Sequence, residues 1–270
     1  MRKETHLELK SLLSNEIDPA FAKRAAFIFR AIEQKKPKRV LDVGCGRGFY
    51  INALARFSFI KEIHGVDINK EYIIKAKSIS RDKRINLTIG RIEKLAFPDK
   101  YFDFIICSEV LEHLENDEVA LMQLRRLLKT GGSLAITVPN LNFPFFWDPL
   151  NWLLMRIFRT HISKDIWWLA GIWADHERLY TREGITKKIK RFFSIKIVEE
   201  AVHNCWPFSH FLLYGIGKNI VEKLGIKTFN RFNFQEKSKA RILAEIFQWP
   251  SRFSNKSAES SVNICIIAER

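Results

Sequence analysis

The stretch V-L-D-V-G-C-G-R-G, residues 40–48, decides how the rest of the chain is read. Val40, Leu41 and Val43 make a short buried strand, and Gly44, Gly46 and Gly48 let the backbone turn tightly before a helix begins. A helix N-terminus beside such a loop suits an anionic or polar ligand. Residues 63–66 read as a second strand ending in Asp67, nineteen residues past Gly48, where a carboxylate can accept both hydroxyls of a ribose. A nucleoside-containing cofactor is the first expectation.

Two details select the nucleoside. A dinucleotide fingerprint is spaced G-x-G-x-x-G for a pyrophosphate, whereas the spacing here is G-x-G-x-G. Asp42 also lies inside the first strand, two residues before the loop, where a carboxylate repels a pyrophosphate and attracts an ammonium, directly or through water. That pattern fits S-adenosylmethionine, which carries an amino acid and a sulfonium and no phosphate.

At these residues the chain resembles the class I S-adenosylmethionine-dependent methyltransferases, whose first motif is an acidic strand end followed by G-x-G-x-G. Residues 89–114 (IGRIEKLAFPDKYFDFIICSEVLEHL) resemble the family's third and fourth motifs, and residues 128–140 (LKTGGSLAITVPN) its turn and fifth strand. The resemblance implies a Rossmann-like α/β fold: a seven-stranded, mostly parallel sheet with an antiparallel last strand and helices on both faces. It implies S-adenosyl-L-methionine as cofactor, held by Asp42, Gly44, Cys45, Gly46, Gly48, Asp67, Ile68, Ile92 and Ser108. The chain departs from the family at Arg91, where an Asp commonly bonds the adenine amino group. Arginine cannot accept that bond, so adenine recognition passes to backbone near Ile92, to Glu93 or to stacking. S-E-V-L at 108–111 also lacks the Asn/Asp-Pro-Pro-aromatic signature of the family's amino-group and base methylases.

At 270 residues the chain is long enough for one substantial core, read here as a single domain: residues 1–140 bind cofactor, and residues 141–180 and 205–261 are substrate-cap insertions. The formal charge of +15 is evenly spread, with 25 cationic against 18 acidic residues in 1–140 and 20 against 12 in 141–270. No basic tail or appended RNA-binding motif is visible, which disfavours nucleic acid as partner, while an anionic membrane surface still attracts such a chain. The four cysteines (Cys45, Cys107, Cys205, Cys265) have neither C-x-x-C nor metal-ligand spacing, so no metal is expected and a reducing cytoplasm is the plain reading. No apolar run reaches bilayer-spanning length.

Along the chain, residues 19–35 read as a helix with Asp18 as N-cap and Pro19 at its first position, either covering the cofactor site or packing on the sheet edge. Helices are expected at 49–56, 70–79 and 117–128, the last capped by Gly131 and Gly132; strands are expected at 86–89, 102–107, 133–138, 192–199 and 262–268. All seven tryptophans follow the fifth strand, in insertions 141–178 and 205–261, the second of which carries the basic amphipathic stretch 218–249. Such clusters form a local core, a hydrophobic acceptor pocket or a monotopic membrane contact. The last two together suggest a lipid, quinone or lipid-linked sugar met at the inner membrane face.

Methyl transfer from a sulfonium is an in-line displacement governed by alignment, with a base required only where the acceptor must lose a proton. His113 and His176 are the catalytic candidates, the latter beside Asp175, which can orient it or pair with Arg178. The expected function is methyl transfer to a small or lipid-linked acceptor, at oxygen. The rival readings are an RNA methyltransferase and a non-catalytic S-adenosylmethionine-binding module.

Overall fold

The computed structural model describes residues 13–14, 16–166, 169–214, 240–253 and 260–270. Helix α1 (Pro19–Lys35) begins as its sequence predicts: Asp18 accepts the Ala20 N–H (2.9 Å), Pro19 fills the first position, and Lys36 ends the helix in the left-handed region (φ 47°). The strands are β1 (Arg39–Val43), β2 (Glu62–Asp67), β3 (Ile85–Ile89), β4 (Phe102–Ser108), β5 (Leu128–Pro139), β6 (Ser194–Ala201) and β7 (Asn263–Glu269). Between them lie α2 (Phe49–Leu54), α3 (Lys70–Ile79), α4 (Asp117–Leu127), α5 (Pro149–Leu153), α6 (Arg182–Lys190) and α7 (Ala240–Gln248).

The strands form one seven-stranded sheet in the order β3-β2-β1-β4-β5-β7-β6, with β7 antiparallel to both neighbours and the other pairings parallel. This is the Rossmann-like sheet that the motifs imply. The order reverses between β1 and β4, so successive connections leave in opposite directions and open a crevice at the C-terminal strand ends. Both faces are covered, which is why the central strands read as unbroken apolar runs: Phe102, Phe104, Ile105 and Ile106 are fully buried. Phe29 and Ile32 of α1 and Ile51 and Leu54 of α2 pack on one face, and Leu121 and Leu124 of α4 with Ile185 and Ile189 of α6 pack on the other.

One expected boundary is corrected. Gly131 and Gly132 do not cap the helix at 117–128; α4 ends at Leu127, and Leu128 is already extended and pairs with Phe102. The next β4–β5 pair joins Phe104 to Ser133, so residues 129–132 bulge from the strand, and Gly131 supplies the left-handed backbone (φ 74°) that the bulge requires. Strand pairing of Leu128 wins over helix extension because it buries Leu128 in the core.

The insertions carry a core of their own. Phe143, Trp147, Ile172 and Leu179 join Val202, Cys205, Val262 and Ala20 of α1. For Trp147, 2% exposed, the local-core reading holds; Trp206 and Trp249 remain 38% and 50% exposed. Trp167, Trp168 and residues 218–239 of the basic amphipathic stretch lie outside the described residues. Among the described residues no helix is long and apolar enough to cross a membrane.

Candidate functional site: an acidic crevice at the β1–β4 switch point

The glycine loop is held against β2. Gly44 and Cys45 N–H both donate to the Val66 carbonyl (2.8 and 3.0 Å), and the Gly46 N–H donates to Asp67 Oδ2 (2.8 Å). Gly44 needs its missing side chain: at φ 70° an added Cβ would sit 2.5 Å from Val110 Cγ2. The other Asp67 oxygen accepts the Asn69 N–H (2.8 Å), so two backbone donors fix the carboxylate at the strand end. Its remaining lone pairs stay available for hydroxyl donors. The Gly90 N–H donates to the Asp67 carbonyl (3.0 Å), which brings the β3 end alongside. Ile68 is 62% exposed, an apolar surface beside the acid, while Ile92 is 5% exposed and backs the rim. Arg91 turns outward and pairs with Glu93 (3.4 Å). The Cys45 side chain is buried rather than aimed at a ligand, and burial pushes its thiol up, so only its backbone serves the loop.

Asp42 is the telling group. It is 1% exposed, its Oδ2 has no hydrogen-bond partner among the described residues, and burial, then the nearby Asp67 charge, raises its carboxyl well above the usual range. A buried acid without a partner is costly, and a second acid close by excludes a phosphate while favouring a cation. These residues fit S-adenosylmethionine: its ammonium would answer Asp42 and its ribose hydroxyls would answer Asp67. Such an ammonium would lower the Asp42 pKa, so ligand binding should expel its proton, and affinity should climb with pH between the bound and free values. Titration calorimetry of S-adenosylhomocysteine in phosphate and in Tris is expected to give heats that differ with buffer ionisation, a difference abolished in Asp42→Asn. Equal heats for the native protein would sink the linkage.

Beside the crevice lies a buried polar network that the sequence pattern does not assemble, in which Ser108, expected at the cofactor, takes part. Arg24, 7% exposed on α1, donates from Nη1 to Asn263 Oδ1 (3.0 Å) and lies 3.5 Å from Glu109 Oε2. Thr137 donates to Glu109 Oε1 (2.9 Å), Ser108 and Thr137 hydroxyls share a hydrogen bond (2.8 Å), and Tyr50 OH lies 3.5 Å from Ser108. Burial works against the Arg24 charge, but Glu109 and further negative groups outweigh it and hold the guanidinium firmly protonated. The signal was present: Arg24 sits three residues past Phe21 and four before Ile28, a cation inside the apolar stripe of α1.

The structure brings His113 and His176 together from 63 residues apart, their rings 4.8 Å between centroids. His113 Nδ1 pairs with the Asp175 carbonyl (2.7 Å) and His176 Nδ1 with the Ile172 carbonyl, which fixes both rings with Nδ1–H donating. Asp175 therefore acts through its backbone, on His113, and its side chain does not orient His176. The loops are stapled: Glu177 N–H donates to the Glu112 carbonyl (2.8 Å), and Arg178 donates to the Leu114 and Glu115 carbonyls. Arg178 faces Asp117 (3.7 Å) as its acid. Behind them Tyr180 OH and Lys188 Nζ donate to Asp117 (both 2.6 Å); burial works to raise that carboxyl, and these partners outweigh it and hold it below its usual range. Burial, then His113, pulls His176 down to about 3, so this ring stays neutral.

Residues 41–136 match the methyltransferase-domain family. The chain is 37% identical over 117 residues to the ubiquinone biosynthesis O-methyltransferase of Coxiella burnetii, covering 42% of this chain and 49% of that one, so it spans about half the length of that relative. It is 30% identical over 173 residues to an uncharacterised protein of Methanocaldococcus jannaschii, covering 60% of this chain and 72% of that one. A putative methyltransferase from Bacillus halodurans superimposes with a TM-score of 0.57 over 91% of this chain and 97% of its own, at 17% identity, a likeness of fold alone. With the acidic glycine-loop crevice, these matches identify the chain as a member of the class I S-adenosylmethionine-dependent methyltransferase family, whose methyl donor is S-adenosylmethionine.

Proposed function

We propose that the chain transfers a methyl group from S-adenosylmethionine to an oxygen of a small or lipid-linked acceptor met at an anionic membrane surface, on the cytoplasmic side. The observation that carries the reading is the pair of acids, Asp42, whose buried Oδ2 has no hydrogen-bond partner among the described residues, and doubly anchored Asp67, around a loop too tight for any residue but glycine at Gly44. When bound, the cofactor supplies a methyl on a sulfonium, a leaving group that needs no acid. The protein's own work is alignment: Asp67 fixes the ribose end, Asp42 the amino-acid end, and Ile68 offers an apolar surface beside them. His113, on the loop after β4, and His176, on the segment fastened to that loop, act at the acceptor oxygen. Oxygen as acceptor atom draws support from the Coxiella burnetii relative, whose name states O-methylation in ubiquinone biosynthesis.

The membrane part rests on the insertions. Helix α7 buries Ala244 but leaves Ile242, Leu243 and Ile246 exposed, with Trp249 and Phe253 following. Trp249 lies 6.0 Å from Trp206 and 5.0 Å from Phe253 between centroids, and the Phe146 carbonyl accepts from Ser209 close by. Ile157 and Phe158 are 62% and 67% exposed, flanked by exposed Arg156 and Arg159. Aromatic and aliphatic side chains in solvent beside cations suit the headgroup level of an anionic bilayer. Flotation with phosphatidylglycerol vesicles at low salt is expected to carry the protein upward, and Ile242→Asp with Trp249→Asp should weaken that binding about tenfold or more, from the apolar burial lost. A native protein that ignores such vesicles would remove the membrane from the proposal.

The reaction is tested by incubating the purified protein and methyl-labelled cofactor with membrane extract, soluble metabolites and RNA in parallel. Label in the lipid or small-molecule fraction is the expected result. Label confined to RNA would replace the proposal with RNA methylation, and cofactor binding with no label anywhere would leave a binding module.

A further inference from the structure

Glu112 has no task in the scheme above. It is completely buried, and neither of its carboxylate oxygens has a hydrogen-bond partner among the described residues. A native fold rarely leaves both oxygens of a buried acid unanswered, because the desolvation cost is then uncompensated. Beside it stand His113 and His176, and one ligand atom from each of the three residues lies within 4.8 Å of the other two. Both rings are already fastened through Nδ1 to backbone carbonyls, which leaves Nε2 of each as a lone pair without a partner among the described residues. An imidazole whose other nitrogen donates to a carbonyl is the arrangement in which histidine binds metals. The supporting backbone is deliberate: Asp175, whose carbonyl holds His113, sits at φ 62°, and Glu109, which leads into the loop, at φ 55°.

We propose that Glu112, His113 and His176 bind a divalent first-row transition cation, with its open coordination positions facing the acceptor. Two imidazole nitrogens and one carboxylate oxygen leave one or more positions for an outside oxygen and suit zinc or manganese better than calcium. The net charge of the three ligands, one negative, is answered by the ion, which removes the unpaired buried acid. The ion's binding stands independently of the function proposed above; its use rests on that reading. There it orients the acceptor hydroxyl and favours loss of its proton to water; the freed oxygen pair forms the new C–O bond as the C–S bond breaks with its pair left on sulfur, so no oxidant or further reactant is required. Spacing gave no hint of the set, because two ligands are adjacent and the third lies 63 residues on.

The test uses untagged full-length protein, dialysed with Co2+ and read by elemental analysis and visible absorption. About one cobalt per chain with ligand-field bands is expected, retained in His161→Ala, a histidine stacked on Trp173 outside the trio. Affinity should fall at least as far as the roughly 10–100-fold typical of lost supporting contacts in His113→Ala and His176→Ala, and likewise in Glu112→Gln, which keeps the side-chain shape if the alanine variants fold poorly. S-adenosylhomocysteine binding by each variant reports that it is folded. Substoichiometric cobalt in the native protein, or uptake in Glu112→Gln equal to native, overturns the site. Homocysteine-nucleoside binding without cobalt uptake would sink the cation and spare the methyltransferase reading; cobalt uptake without nucleoside binding would do the reverse.

Discussion

Asp67→Asn is expected to lower affinity for S-adenosylhomocysteine by about 2–3 kcal/mol, or roughly 30- to 150-fold. The two Asp67 oxygens each accept a backbone N–H, one from Gly46 and one from Asn69, both at 2.8 Å. An amide offers one oxygen and one NH2, so whichever way it turns, a donor faces a donor. One of the two backbone anchors, at Gly46 or at Asn69, is then lost, and the ribose loses a charged acceptor. Because the substitution is nearly isosteric and Asp67 keeps only 9% exposure, packing changes little and the loss is electrostatic. Isothermal titration of both proteins checks it, with the melting temperature as control; an affinity within about threefold of native would show that Asp67 does not hold the nucleoside.

The second large effect is on stability. Arg24→Met keeps the aliphatic volume on α1 and removes the cation beside Glu109, leaving Asn263 Oδ1 without its donor at a position 1% exposed. Breaking one side of a buried pair costs about 3–5 kcal/mol, and the 24% exposure of the Glu109 side chain argues for the lower end. At roughly 2–4 °C per kcal/mol for a chain of this size, the melting temperature should fall by about 6–12 °C. Arg24→Met with Glu109→Gln should recover part of that, since the stranded charge goes with its partner. A fall under about 2 °C would mean that the network contributes little to folding.

How far each site was legible follows from the separation of its parts. The cofactor crevice is built from short segments at strand ends: the glycine loop directly follows β1, and Asp67 ends β2, so spacing and residue type suffice to identify both. The helix start at Asp18 and Pro19 was equally readable, because capping is a contact over two residues. The end of α4 is not legible locally, because Gly131 is a stop signal in isolation, whereas pairing of Leu128 with Phe102, 26 residues earlier, takes that segment into the sheet. In the sequence His113 and His176 are recognisable only as two separate titratable residues; their contact, and the carbonyls that fix them, belong to the folded chain.

The sequence by itself determined the fold class, the family, and the glycine loop and acidic strand ends that line the crevice, since strand periodicity, glycine spacing and an acidic strand end are local properties carried by consecutive residues. Only the tertiary structure decided what Arg24 and Glu112 do. Arg24 meets Asn263 across 239 residues, and Glu112 and His113 meet His176 across a stapled insertion. No local pattern specifies which distant chains a buried charge will face; burial makes such a charge matter by removing water, and burial is decided when the sheet and its cap close together.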